Sequence, residues 1–310
     1  MNRMFTLCRR RDCGAGTRLE VEVDNPPTGG KLKISVKEFG GAGKRVALLH
    51  HANGFCAGTW GLVASLLVKK FHVFAIDARG HGDSEGGEVP RDFDWNYFVS
   101  DLLTVANEIR KRRRVKQIDY GIGSSFGGII TAAAEARQPG LFRRIAILDP
   151  PIHPTAELVA RFKLNISAEN SMKSTLVAQT LKRRRNWPSI DEPRSSWRGK
   201  GMFANWTDAA FELYLAECLA HAEDGGVALK CDPAVEAHIF ETTGSLAVTD
   251  YAAAVHAPVL YIRATDGYVP SDFCRGVASL FGNAGYEEMR GGHLLPLEVP
   301  ETVARRLLKS

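Results

Sequence analysis

Gly123-Ser124-Ser125-Phe126-Gly127 is the stretch of this 310-residue sequence whose residue types and spacing speak most directly of chemistry. A serine with glycine two positions away on either side suits a sharp strand-to-helix turn, where backbones approach closely and the hydroxyl is lifted out of a sheet. Two serines are adjacent, and only one register fits. Ser124 would need glycines where the sequence has Ile122 and Phe126, whereas Ser125 has Gly123 and Gly127. A helix starting just beyond the serine favours negative charge developing there. The chemistry such a residue offers is attack on an acyl carbonyl, provided a base takes its proton.

Nine histidines are available, and His293 is the candidate base. It lies in Arg290-Gly291-Gly292-His293-Leu294-Leu295-Pro296, a loop between the strand-like run Tyr286–Met289 and a final helix. A loop at a sheet edge lets an imidazole reach a nucleophile carried elsewhere. The base needs a carboxylate to hold its tautomer and to stabilise the imidazolium. Asp266 is preferred, because it follows the apolar run Val259–Ile262 and so lies at the carboxyl end of a central strand. Asp149, which ends the run Ile145–Leu148, is the competing carboxylate.

An oxyanion needs N–H donors. One is expected from Phe126, the residue after the nucleophile. The other is expected from Phe55, in His50-His51-Ala52-Asn53-Gly54-Phe55, with Gly54 supplying the turn and His51 holding the loop. Gly54, Leu294 and Trp206 are the substrate-binding candidates, and Phe55 and Phe126 are further pocket walls. Trp206 suits a packed core equally well.

These groups require a scaffold of alternating strands and helices. Leu19–Val23 and Lys31–Val36 alternate apolar and polar residues, as half-buried antiparallel strands do, with a turn rich in Pro and Gly between them. Val46–Leu49, Val73–Ile76, Ile145–Leu148 and Val259–Ile262 are continuous apolar runs that suit buried parallel strands, and Val115–Tyr120 is a more polar candidate. Helical spacing joins Phe98, Leu102, Val105 and Ile109. Further helices are expected over Gly127–Arg137, after Ser271 as N-cap, and from Pro300. The expected fold class is α/β: a mostly parallel central sheet with helices on both faces. Between Pro151 and His256 no strand is apparent. Helical segments over Ala156–Phe162, Ser171–Leu181, Trp206–Ala222 and Pro233–Ile239 suggest an inserted helical cap. The expected division is a loose N-terminus over 1–17, a core over 18–151 and 257–310, and the cap over 152–256.

Composition is that of an ordinary soluble domain, with 45% hydrophobic and 24% charged residues. The net charge of +5 gathers in Arg9–Arg11, Lys111–Arg114 and Lys182–Arg185. These runs read as solvated helix ends, and no nucleic-acid motif accompanies them. The six cysteines form no Cys-x-x-Cys pair, so a zinc or redox centre has little support and free thiols in a reducing, cytoplasmic setting are expected. The Arg-rich start reads as a loose terminus rather than a targeting segment. No secretory h-region and no bilayer-spanning apolar run is present.

With Leu48–Phe55, Asp77-Ala78-Arg79-Gly80-His81-Gly82-Asp83-Ser84, the Ser125 turn, Ala264-Thr265-Asp266 and Gly292-His293 in order, the sequence resembles the α/β-hydrolase superfamily. The resemblance spans roughly residues 31–151 and 256–310, and it implies a structural turn for Asp77–Ser84. It departs at Ser124, often His in relatives, and in the longer loop after Leu49. It implies an α/β-hydrolase fold and hydrolysis of a small-molecule carboxylic ester through an acyl-enzyme, without metal or organic cofactor. A homodimer is compatible with it, and nucleic acid is not an expected partner. Ser at the nucleophile position disfavours the dehalogenase and epoxide-hydrolase branches. Carbon–carbon bond, thioester or amide hydrolysis, or a non-enzymatic small-ligand receptor, are the alternatives. The basic cap residues raise a preference for monoesters of diacids.

Overall fold

The computed structural model describes residues 16–41, 43–152, 158, 160, 161, 166–223 and 225–309. The expected loose N-terminus falls outside these residues except at Gly16 and Thr17, and Thr17 already opens a strand. Strands β1 (Thr17–Asn25), β2 (Gly30–Gly40), β3 (Val46–His50), β4 (His72–Ile76), β5 (Tyr120–Ser124), β6 (Ile145–Leu148), β10 (Val259–Ala264) and β11 (Ala284–Met289) make one sheet, in the order β1-β2-β4-β3-β5-β6-β10-β11. The β1/β2 and β2/β4 pairs are antiparallel, and from β4 to β11 every neighbouring pair is parallel.

Helices α1 (Gly61–Leu67), α2 (Trp95–Arg113) and α3 (Phe126–Arg137) are followed in the insertion by α4 (Ile166–Leu181), α5 (Asp191–Trp197), α6 (Asp208–Cys218), α7 (Pro233–Glu241) and α8 (Val248–Tyr251). The chain then forms α9 (Ser271–Ala278), α10 (Leu295–Glu298) and α11 (Pro300–Lys309). Helices cover both faces of the sheet, so strands such as β3 and β4 are buried throughout. Alternation still sorts their side chains. Phe74 and Ile76 join the α2/α3 core with Phe98, Leu102 and Ile130, whereas Val73 and Ala75 join the α1/α11 core with Leu67, Val303 and Leu307.

The strand before the nucleophile, the insertion and the cap of α9 differ from expectation. The strand before the nucleophile is Tyr120–Ser124, not Val115–Tyr120. Glycines at 121 and 123 lower its strand propensity, but packing demands them. A Cβ on Gly121 would come within 2.7 Å of the Phe142 ring, and one on Gly123 within 2.2 Å of the Gly127 carbonyl oxygen. The insertion also contains strands: β7 (Asn186–Trp187), β8 (Leu219–His221) and β9 (Val227–Leu229) form a small antiparallel sheet ordered β7-β9-β8. Each is two or three residues long, too short to register as periodicity. The helix expected to run from Trp206 to Ala222 accordingly stops at Cys218 and turns into β8. The Ala156–Phe162 expectation falls largely outside the described residues. Ser271 is the first residue of α9, and Pro270 occupies the cap position expected for it.

One of the three charge runs ends a helix as read from the sequence; Arg9–Arg11 lies outside the described residues, and Lys182–Arg185 follows the end of α4, whose last turn holds no basic residue. Arg110–Arg113 occupy the last turn of α2, opposite the negative end of its dipole. Among the described residues no helix is long and apolar enough to cross a membrane.

Candidate active site

Ser125 sits between β5 and α3 with φ 53° and ψ −124°, a strained conformation for a residue with a Cβ. The turn is pinned from both sides. The Ser125 N–H donates to the Leu148 carbonyl at 2.8 Å, and the Gly128 N–H donates to the Ser125 carbonyl at 2.9 Å. Glycine is needed at 127 because a Cβ there would come within 2.4 Å of the His50 carbonyl oxygen. That contact also seats the loop after β3 against the turn.

His293 reaches the serine from the loop after β11, with Nε2 2.8 Å from Ser125 Oγ. Its other nitrogen, Nδ1, lies 2.7 Å from Asp149 Oδ2. The carboxylate that meets His293 is therefore Asp149 at the end of β6, and the assignment of Asp266 is corrected. Asp266 is exposed at the end of the neighbouring strand β10, where its carboxylate accepts from the Thr265 hydroxyl at 3.3 Å. Its loop serves by backbone: the Asp266 N–H donates to the Gly291 carbonyl at 3.0 Å and so braces the histidine loop.

Asp149 is 4% exposed and adopts φ 45°. Its second oxygen, Oδ1, accepts from the Ala264 N–H at 2.9 Å, and the carboxylate packs where a Cβ on Gly267 would come within 2.8 Å of Oδ2. The Ala264 N–H thus fixes the orientation in which the carboxylate faces the imidazole. A sequence signal existed, since Asp149 and Asp266 both follow buried apolar strands. Spacing alone does not say which of two adjacent strands aims its carboxylate inward.

Glu298 was missed altogether. Its Oε2 accepts from the Gly292 N–H at 2.7 Å and its Oε1 from the Leu294 N–H at 3.2 Å. One carboxylate thus grips the backbone on both sides of His293. Tyr268, 64% exposed, lays its ring 5.5 Å from the imidazole.

The expected oxyanion donors divide. Phe126 is the first residue of α3, so its N–H has no partner within the helix, as at any helix start. Its ring is core, edge-on to Trp95 and Phe98. The Phe55 N–H is spent: it donates to the Ala52 carbonyl at 3.1 Å, closing a turn in which Gly54 has φ 81°. The length of this loop, longer than a simple turn, is what removes Phe55 from the role. Ala52 follows the two histidines whose carbonyls lie against the serine turn, and among the described residues no backbone carbonyl accepts from its N–H.

The loop is held rigidly. The Ala78 N–H donates to His51 Nε2 at 2.9 Å, so the proton sits on Nδ1 and is donated to the Ala52 carbonyl at 2.7 Å. Asp77 Oδ1 accepts from the Ala57 N–H at 2.6 Å, consistent with a structural turn at Asp77–Ser84. Burial pushes His50 down to about 4 and His51 and His81 down to about 3, so all three imidazoles are neutral.

A narrow crevice, with room for little more than a water molecule, borders the site, lined by Ala52, Phe55, Trp60, Ser124, Leu294 and Leu297 among others. Leu294 and Phe55 are thus at its wall. Gly54 is not; it packs under the Glu236 carboxylate from α7. Trp206 belongs to an aromatic core with Phe203 and Tyr214, at 4.8 and 5.6 Å between ring centroids. The basic run of the insertion is neutralised within it: Arg183 pairs with Glu236, Arg184 with Glu192 and Arg185 with Asp232.

Residues 47–306 match the profile of a family described as the alpha/beta hydrolase family. No curated protein matches the sequence. Solved structures similar to this chain include E-2-(acetamidomethylene)succinate hydrolase, 18% identical with a TM-score of 0.74, covering 94% of this chain and 98% of that one. The peroxisomal alpha-beta-hydrolase Lpx1 of Saccharomyces cerevisiae is 16% identical, with a TM-score of 0.74 over 96% and 88% of the two chains. The thioesterase domain from the curacin biosynthetic pathway is 15% identical, with a TM-score of 0.71 over 95% and 100%. At these identities the likeness is one of fold.

Proposed function

This chain belongs to the α/β hydrolase family, and from that premise we propose that it is a serine hydrolase cleaving a carboxylic ester of a small molecule through an acyl-enzyme. One observation carries the reading: Ser125 Oγ, the His293 ring and the Asp149 carboxylate stand in a single hydrogen-bonded line, at 2.8 and 2.7 Å.

In the proposed mechanism Ser125 attacks the ester carbonyl as His293 Nε2 takes its proton. Asp149, receiving the Nδ1–H, keeps the ring in the tautomer whose Nε2 is free and stabilises the imidazolium. The N–H groups of Phe126 and Ala52 receive the oxyanion; one such donor is typically worth about 3–4 kcal/mol. His293 then protonates the departing alcohol, and in the second half it activates water to release the acid. The described residues of the insertion, from α4 to α8, act as a cap on the sheet domain. Neutralisation of the cap's arginines removes the support for a second carboxylate on the substrate.

A panel settles the bond class: p-nitrophenyl acetate, butyrate and octanoate, the matching thioester and anilide, and a meta-cleavage diketone. The expected outcome is turnover of the oxygen esters faster than of the thioester, anilide or diketone, abolished by Ser125→Ala. Preferential cleavage of the thioester or the diketone, or binding without turnover, refutes it.

A further inference from the structure

Cys56 and Cys218 lie 162 positions apart in the sequence, yet their sulfurs are 3.2 Å apart. Cys56 follows Phe55 in the loop after β3 and belongs to the sheet domain. Cys218 ends α6 in the insertion. Both side chains are buried, at 1% and 3% exposure, and both are free thiols. The other described cysteines, Cys231 and Cys274, have no such neighbour: Cys231 approaches the Asp232 carbonyl, and Cys274 packs in the core beneath β10.

Among the described residues, three ion pairs join the insertion to the sheet domain around the two thiols. Lys37 of β2 meets Glu217 at 2.5 Å, Arg18 of β1 meets it at 3.6 Å, and Lys230 of the insertion meets Asp83 at 2.7 Å. Burial and the neighbouring Cys56 push the Cys218 thiol well up, and the Lys230 ammonium offsets this only in part. These pairs hold α6 in place, so the two sulfurs keep their separation without a covalent bond. A disulfide needs about 2.05 Å between sulfurs. Closing the remaining gap takes a shift of about 1 Å, within the reach of side-chain rotation.

We propose that Cys56 and Cys218 are a thiol–disulfide modification site that covalently staples the insertion to the sheet domain, with a small-molecule disulfide of the glutathione class as co-reactant. One cysteine thiolate attacks a sulfur of the disulfide, forming a mixed disulfide and expelling one glutathione thiolate. The second cysteine thiolate attacks the protein sulfur of that mixed disulfide and expels the other. Two protein thiols lose two protons and two electrons; one disulfide is reduced to two thiols. The product bond closes a loop longer than 100 residues, so it raises thermal stability by restricting the unfolded chain. The site is independent of the hydrolytic reading, since neither sulfur enters the Ser125 relay.

The full-length protein is incubated with oxidised glutathione, alkylated under denaturing conditions and mapped by non-reducing mass spectrometry. The expected result is loss of two thiols, a Cys56–Cys218 cross-linked peptide, and a rise in Tm of about 5 °C that dithiothreitol reverses. Cys56→Ser and Cys218→Ser, each checked for native circular dichroism, should show neither the cross-link nor the rise. Stable single-glutathione adducts, cross-links to other cysteines, or no loss of thiol in the folded wild type would overturn the proposal.

Discussion

Replacing Asp149 by Asn tests which carboxylate orients the imidazole. In the wild type Asp149 Oδ2 receives the proton on His293 Nδ1 at 2.7 Å, and Oδ1 is held by the Ala264 N–H at 2.9 Å. Since an N–H points at Oδ1, an asparagine places its carbonyl oxygen there and turns its NH2 towards the imidazole. The NH2 donates to Nδ1, forcing the proton to Nε2, where it blocks acceptance from Ser125. The same change in another serine-hydrolase fold costs roughly 10⁴ in kcat, or about 5.4 kcal/mol of transition-state stabilisation. Asp266→Asn, at an exposed site 3.3 Å from the Thr265 hydroxyl, should stay within about threefold of wild type, as surface changes away from a network do. Initial rates on p-nitrophenyl butyrate give kcat and KM for both variants, with Tm measured in parallel. A large loss in Asp266→Asn together with near-wild-type kcat in Asp149→Asn refutes the reasoning.

Glu298→Ala frees the amides on both sides of His293 and should lower kcat about tenfold or more with KM little changed; an unchanged kcat argues against a gripping role. Ala52→Pro removes the N–H assigned to the oxyanion and should cost about 10²–10³ in kcat, whereas a variant folded and fully active returns that role to another amide. Stability should fall on acidification below about pH 6.5. The imidazoles of His50, His51 and His81 stay neutral in the fold to about 4, 3 and 3, while the unfolded chain takes up the protons, so unfolding is favoured by up to about 4 kcal/mol per pH unit across that window. Burial raises the carboxyls of Glu135 and Glu236 and opposes this nearer pH 4.5; urea midpoints that do not fall between pH 7 and 5.5 contradict the burial of neutral rings. A diacid monoester and its diester should show similar kcat/KM, because Arg183, Arg184 and Arg185 already have carboxylate partners.

Ser125 and His293 were legible because local chemistry marks them: glycines that only a crowded turn requires, and a glycine-rich loop leading into a helix. The parallel strands β3, β4, β6 and β10 were legible because burial on both faces writes itself as unbroken apolar runs. Strand β5 was displaced because its glycines answer to Phe142 and to the start of α3, contacts far away in sequence. The choice between Asp149 and Asp266 depended on where two adjacent strand ends point, and Phe55 on a turn that consumed its amide. Strands β7 to β9 pair only with one another, over too few residues for any pattern.

The central claim is that Ser125, activated by His293, becomes acylated. Treating the folded protein with a fluorophosphonate and reading the intact mass tests this most directly. One adduct, mapped to Ser125, absent in Ser125→Ala and formed far more slowly in His293→Ala, is the predicted result. An adduct on another residue, or none on a wild-type protein that turns over esters, contradicts it.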